Sequence, residues 1–484
     1  MKKAETDIVI CGSGPSGLTA AVQAAENGAK VVVLEKAQAV GGASNMGMGP
    51  LGIGTRFQKQ QMIDITVEKA FNMFMEYTHY NVDARLVKRY FEQSAETIEW
   101  LESNGVEFEG AFRYFPRSEA TWHIVKSDQG IGPRAASFMA KALYEKAQEQ
   151  SVQFMLQTTA KKIIMETGRV TGVIAVDASG DEVQIACKAA IICNGGAGSN
   201  KELIKAETGL EHGENLFSFA VPGLVGDGLR MAWEAGADKL PVRIEMAAAM
   251  EGMDDLPQSV SVIMHQPNLL VNKQGKRVMN EDHMQNSTFL SNVAAHQQDK
   301  IVFSILDTSI VKYYIRRGVD HVSLVRNNPD VSDFNDGVRI AVENGNKGLF
   351  IADSIEDLAE KAGINKERLV KTVEDYNDFC DSTDEEFFKD KRYMRPLIKA
   401  PYYCVKIRPG GYGTVGGIRI NENCEALNKD FEPITGLYAA GADACNIYDD
   451  SYMFLLPGNS MGFAVNTGRI AAISASNFVE SLSE

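Results

Sequence analysis

The chain has 484 residues, 44% of them hydrophobic and 23% charged, and a formal net charge of −15. That length allows two or three domains around a large core. The acidic balance excludes nucleic acid or an anionic membrane as the main partner, because both need a basic footprint. The seven cysteines show no C-x-x-C or C-x-x-C-H spacing, which excludes an attached c-type haem and a cysteine-rich cluster and fits a reduced, cytoplasmic compartment. No apolar run approaches the roughly 18 residues of a membrane span, and MKKAETDIVI leads straight into a strand pattern instead of a signal peptide.

From the N-terminus, TDIVICGSGPSGLTAAVQAAENGAKVVVLEK (6–36) reads as strand, glycine turn, Ala-rich helix and second strand, ending in Glu35. It carries G-x-G-x-x-G at Gly12, Gly14 and Gly17, so a pyrophosphate is expected at the helix N-terminus and a ribose on Glu35. The following AVGGASNMGMGPLGIG (39–54) is a glycine-dense run that can lie along a ligand extending past the pyrophosphate, which favours FAD over NAD. Residues 60–150 have helical spacing, clearest in DARLVKRYFEQSAETIEWLESNG. Residues 154–196 read as strands with hairpin turns at ETGRVTG and ASGD. Segment 241–371 changes character, with methionines and helices such as SIEDLAEKAG, and after it YYCVKIRPGGYGTVGGIRI and GLYAAGADA return to strand-and-glycine texture. The expected organisation is α/β: a Rossmann-like dinucleotide domain in two segments, 1–240 and 372–484, interrupted by an α+β cap at 241–371.

With these pieces in order, the chain resembles the FAD-dependent fumarate reductase / 3-ketosteroid dehydrogenase flavoproteins along nearly its whole length. The stretches that carry the resemblance are the opening fingerprint, GGAS at 41–44, GRVTGV at 168–173, NGG at 194–196, GDG at 226–228, GKRVMNE at 275–281, GTVGG at 413–417, GLYAAG at 436–441 and PGNSMG at 457–462. The resemblance implies FAD, with substrate held between cap and flavin. The FAD contacts it implies begin in the first turn with Gly12, Ser13, Gly14, Pro15, Ser16 and Gly17, then Glu35 and Lys36. Gly41, Gly42, Ala43, Ser44, Asn45, Met48 and Gly49 would line the flavin, with Ala160, Asn194, Gly195, Gly196 and Asp227 around the pyrophosphate side. Gly441 and Asp443 would meet the ribityl chain, and Gly458, Asn459, Ser460 and Met461 would present helix-terminal N–H groups to the flavin pyrimidine, where negative charge develops on reduction.

The departures from that family are as informative. There is no histidine before His79 to attach flavin covalently, so FAD is expected to be noncovalent. Where fumarate-reducing relatives hold two carboxylates with histidines and arginines, this chain has Ala247 (or Ala248), Gln285, Gly413 and Leu455. Leucine cannot replace a bidentate arginine, so fumarate and succinate are not expected substrates. Gly458 matches the ketone-polarising glycine of steroid dehydrogenases, yet their tyrosines are replaced by Phe454 and Gln285. The catalytic candidates are therefore Tyr412, Tyr452, Gln285, His283 and Gly458; a neutral phenol suits proton transfer beside a carbonyl in an apolar cavity. The expected reaction is hydride transfer between flavin and a C=C or CH–CH bond next to a carbonyl, run as enone or enoate reduction on a neutral ring-containing molecule such as a steroid-like or polyphenol-derived ketone. A 3-ketosteroid-type dehydrogenase or a reductase of an unsaturated monocarboxylate is the alternative, and an electron-relay flavoprotein subunit is a further one. Electrons are expected from a separate donor: reduced flavin, NAD(P)H or a redox protein.

Overall fold

A computed structural model describes residues 2–219, 221–325, 330–449 and 451–482. Its centre is a parallel sheet in the order Gln153–Met155, Val31–Leu34, Ile8–Cys11, Ala189–Ile192, Pro433–Ala439. These short strands are apolar on both faces (IVIC, VVVL and AAII are fully buried), as a sheet covered on both sides requires. The last strand comes from the far end of the chain, so the expected two-segment construction is present. An antiparallel meander, Thr159–Glu166, Arg169–Val176 and Glu182–Ala186, joins this sheet. Its first turn falls at the expected ETGRVTG hairpin. Helix Pro15–Glu26 packs against the long C-terminal helix Asn459–Ser481.

Residues 60–150 hold helices Val67–Tyr77, Ala84–Ser103 and Ala136–Glu149, the second capped by the Asp83 carboxylate accepting the Arg85 and Leu86 N–H groups. They also hold a hairpin, Phe108–Phe112 with Trp122–Val125, which the helical reading did not anticipate. The hairpin is stitched to the glycine-rich run: the His123 N–H donates to Pro50 O and the Val125 N–H to Met48 O. The segment it docks on lies far earlier in the chain, so local periodicity carries no trace of that contact.

The second unit is a six-stranded mixed sheet built on Tyr402–Ile418, with Lys239–Met250, Leu269–Asn272, Val302–Asp307 and Leu349–Ala352 among its members. Its hydrophobic core is separate and draws on residues from Ala248 to Ile407. The expected boundary at 371 lies inside helix Lys366–Asp381, whose Leu369, Val373 and Tyr376 belong to that core. Two paired antiparallel strands, Lys239–Met250 and Tyr402–Ile418, run from one core into the other: Val242 and Val415 pack in the first, Met250 and Ile407 in the second. Among the described residues no helix is long and apolar enough to cross a membrane.

Candidate active site

Strand Ile8–Cys11 delivers the chain into the first turn, where Gly12 has φ +104 and a Cβ would lie 2.2 Å from the Cys193 carbonyl oxygen. Only glycine fits there. A Cβ on Gly14, by contrast, would meet nothing within 4 Å, so this side of the turn is open to a ligand. Pro15 and Ser16 start the helix, and its Gly17 continues it. Glu35 closes the turn from the second strand. Its Oε2 accepts the Ser13 N–H (2.9 Å) and hydroxyl (2.6 Å), and its Oε1 accepts the Ala37 N–H (2.7 Å). Lys36 pairs with Asp227 at 2.9 Å, joining two expected contacts that are far apart in sequence.

Past the turn, Gly41 leads into a short 3-10 helix, Gly42–Asn45. Within it Ser44 is buried with its hydroxyl on Gly41 O, while Ala43 and Asn45 are exposed. Met48 is buried and Gly49 O accepts the Trp122 indole N–H at 2.7 Å. Ala160 is buried in the meander. On the opposite side Asp443, fully buried after Gly441, accepts the N–H groups of Gly195 (2.7 Å) and Gly196 (3.1 Å). Burial pushes its carboxyl up to about 6 in spite of those donors. Among the described residues, Asn194 Oδ1, beside Gly195, and both amide atoms of Asn459 are buried without a partner. Buried polar groups are normally satisfied, so an open glycine cradle, an acid raised by burial and orphaned amides together fit an extended polar ligand such as FAD.

The C-terminal turn sits at the other end. Gly458 has φ +83, and a Cβ there would lie 2.6 Å from Trp122 Cδ1. Its carbonyl accepts the Leu51 N–H at 2.8 Å, tying the turn to the glycine-rich run. The helix Asn459–Ser481 begins immediately after it, with Ser460 and Met461 in its first turn. The Ser460 N–H is not free: it donates to the Tyr452 phenol at 3.1 Å. The Ser460 hydroxyl donates to Glu245 Oε1 at 2.9 Å. Glu245, from the strand that links the two cores, had no place in the sequence reading. The signal available was one acid in the otherwise apolar stretch IEMAAAM. Burial raises its carboxyl to about 7, and burial lifts the Tyr452 phenol well above its ordinary range.

Aromatic rings floor this region. Tyr452 packs edge-on to Phe454 (4.8 Å between centroids), and Phe454 stacks on Tyr114 at 5.1 Å. Tyr412 is 46% exposed and stacks on Phe219. The register shift between Ile244 and Met246 sets Tyr412 and Gly413 opposite Glu245. Gln285 ends a 3-10 helix, Glu281–Gln285, with its Oε1 buried and unpartnered. It lines a small cavity with His265, His321, Met284 and Phe115. His283 on the same turn is exposed beside Phe289, so the structure does not gather it with Gln285. Arg408 pairs with Glu251 at 2.8 Å, and Arg117 with Asp282, which His321 also approaches at 3.2 Å.

The chain matches the family of FAD-binding domains over residues 7–461. It is 32% identical over 98% of its length to a vinyl phenol reductase of Lactiplantibacillus plantarum, covering 96% of that protein. A urocanate reductase of Eggerthella lenta is 28% identical over 91% of this chain and 70% of its own. Among solved structures, a 3-ketosteroid-delta4-(5alpha)-dehydrogenase from Rhodococcus jostii RHA1 superposes with TM-score 0.78 at 23% identity, over 98% of each chain, which shows a shared fold. With the cradle, the buried acid and the C-terminal turn all in place, the chain belongs to the FAD-binding domain family and is an FAD-dependent oxidoreductase of the kind that acts on carbon–carbon bonds.

Proposed function

We propose that this protein reduces a conjugated C=C bond in a neutral, ring-containing molecule, held between the FAD unit and the second unit acting as a cap. The observation that carries this reading is the charge of the site. Ala247, Gln285, Gly413 and Leu455 supply no cation, Arg408 and Arg117 are paired with Glu251 and Asp282, and an acid, Glu245, stands beside Ser460. Burying an unpaired carboxylate here costs several kcal/mol, whereas each buried CH₂ contributes about 0.8 kcal/mol. The relative named for a vinyl phenol, a neutral ring bearing a C=C, supports the same substrate class.

FAD, when bound, would supply the hydride chemistry for one carbon of the double bond. Glu35 and the Gly12–Gly17 turn would hold its adenosine and pyrophosphate, Asp443 its ribityl chain, and Ser44 and the turn at Gly458 its ring system. With no histidine before His79 the attachment is noncovalent. The protein's own task is to position the substrate against the Tyr452–Phe454–Tyr114 rings, exclude water and deliver a proton to the second carbon. Tyr452 is the phenol best placed for that delivery; Gln285 orients a substrate oxygen. A separate donor supplies electrons, and the working compartment is the cytoplasm.

Competition tests the reading. Cyclic enones and vinyl phenols should perturb the bound-flavin spectrum at concentrations at least 100-fold below fumarate or an unsaturated monocarboxylate such as cinnamate, an energy of about 3 kcal/mol. Leu455→Arg should weaken neutral ligands and improve carboxylates. Tight fumarate binding by the unaltered protein would overturn it.

A further inference from the structure

We infer that Glu245 is a proton store for Tyr452, joined to it through the Ser460 hydroxyl, and that this three-oxygen chain is refilled from solvent. The inference rests on the reductive reading above. The geometry is direct. Tyr452 Oη lies 3.4 Å from Ser460 Oγ, and Ser460 Oγ lies 2.9 Å from Glu245 Oε1. A hydroxyl both donates and accepts, so the chain conducts in either direction. The Ser460 backbone N–H also donates to Tyr452 Oη at 3.1 Å, at the positive end of a 23-residue helix. It therefore eases the transient loss of the phenol proton.

Three features distinguish this arrangement from an ordinary buried acid. First, among the described residues no ion pair reaches Glu245: the nearest cation along its strand, Arg243, lies against Asp449 at 3.7 Å. The other titratable groups around the site are Tyr452, Tyr448, Tyr90 and Cys445, all uncharged at neutral pH because burial raises each. A carboxyl raised to about 7 in such surroundings keeps its proton below that pH and exchanges it near neutrality, which is what a proton store needs. Second, the acid sits on the strand Lys239–Met250 that links the two cores, whereas Tyr452 and Ser460 belong to the FAD unit. Third, Tyr448 packs ring to ring with Tyr452 at 4.8 Å, carries a buried hydroxyl without a partner, and lines an open cavity of about 510 Å³ together with Asn446, Arg243 and Tyr80.

The step balances as follows. The substrate carbon left basic after reduction at its neighbour takes the Tyr452 hydroxyl proton. The Ser460 proton passes to the phenolate, the Glu245 carboxyl proton passes to Ser460, and the resulting carboxylate regains a proton from water. One proton reaches carbon and no electron moves along the chain.

Two variants and a measurement independent of turnover decide it. In FAD-loaded protein without substrate, infrared difference spectra should show a neutral carboxylic C=O band that is lost as pH rises through about 7, the value to which burial raises Glu245. Glu245→Gln should abolish that band and Tyr452→Phe should keep it. In pre-reduced enzyme mixed anaerobically with an enone, wild-type reoxidation should slow as pH rises through the same point, because only the protonated store can deliver. Glu245→Gln should lower the rate by about 100-fold and remove that limb, Glu245→Asp should restore both in part, and Tyr452→Phe should fall at least as far. A band unaffected by Glu245→Gln, or a Tyr452→Phe variant with the wild-type rate, would overturn the inference. If the band behaves as expected and no enone or vinyl phenol reoxidises the wild type, the substrate reading has failed and the proton store stands.

Discussion

Asp443 gives a prediction whose size can be worked from the structure. Its carboxylate is fully buried, held by the Gly195 and Gly196 N–H groups at 2.7 and 3.1 Å, and raised by burial from 3.8 to about 6. A shift of about 2 units corresponds to about 3 kcal/mol of preference for the neutral form. Its folded value lies above its unfolded one. For the flavin-free protein the group therefore contributes stability below about pH 4 and loses it as pH rises through about 6. Ribityl hydroxyls donating to the carboxylate favour the charged form, so FAD binding near pH 5 must expel a proton and near pH 8 need not. Titration of the flavin-free protein with FAD, followed by quenching of flavin fluorescence, should show affinity rising by up to tenfold per unit as pH rises toward about 6 and levelling above about 7. The Tm gain from saturating FAD should likewise be larger at pH 7.5 than at pH 5. Asp443→Asn should remove this dependence, because an amide does not titrate. It should also weaken FAD by about 10- to 100-fold at pH 8, since one amide oxygen replaces two acceptor oxygens and a buried N–H loses its partner at about 1–3 kcal/mol. Affinity that is flat from pH 5 to 8, or an Asp443→Asn protein that binds FAD as tightly as the wild type, would refute the reasoning.

Two further outcomes follow from packing. Gly458→Ala puts a Cβ 2.6 Å from Trp122 Cδ1 and 2.8 Å from the Leu51 nitrogen at φ +83. The left-handed backbone alone costs about 1–2 kcal/mol, and a fall in Tm of about 2 °C or more in calorimetry is expected. An unchanged Tm would mean the turn relaxes freely. In the second unit, Arg277 is enclosed with Asp384 and Glu281, at 2.8 Å from each. Asp384→Ala should destabilise by about 3 kcal/mol in urea unfolding, because removing one partner strands a buried charge. A loss below about 1 kcal/mol would show that Glu281 neutralises Arg277 by itself.

Much of the FAD unit was legible because its signals are local. Gly12, Gly14, Gly17 and Glu35 lie within one βαβ unit, and each is required by backbone geometry that a linear pattern records. The same holds for the Thr159–Glu166 and Arg169–Val176 hairpin and for the helix Ile355–Ala362, with Ser354 before it and Gly363 after it. The hairpin Phe108–Phe112 with Trp122–Val125 escaped notice because its strands are short and it is also docked on Met48 and Pro50, far earlier in the chain.

The catalytic side of the site divides along the same line. The sequence by itself determined which chemistry was missing: with Ala247, Gln285, Gly413 and Leu455 in the clamp positions, no pair of carboxylates has partners, whatever the fold does with the rest. It also determined the turn at Gly458, since a helix start after Pro-Gly is a local property. Only the tertiary structure decided what fills the space. It joined Glu245, Ser460 and Tyr452, separated by up to 215 residues, across the strand that connects the two units. It exposed His283 while burying the Gln285 oxygen two residues later. The physical reason is that a residue's protonation and reach depend on desolvation and on neighbours brought together by packing, and neither quantity is written in the spacing of the chain.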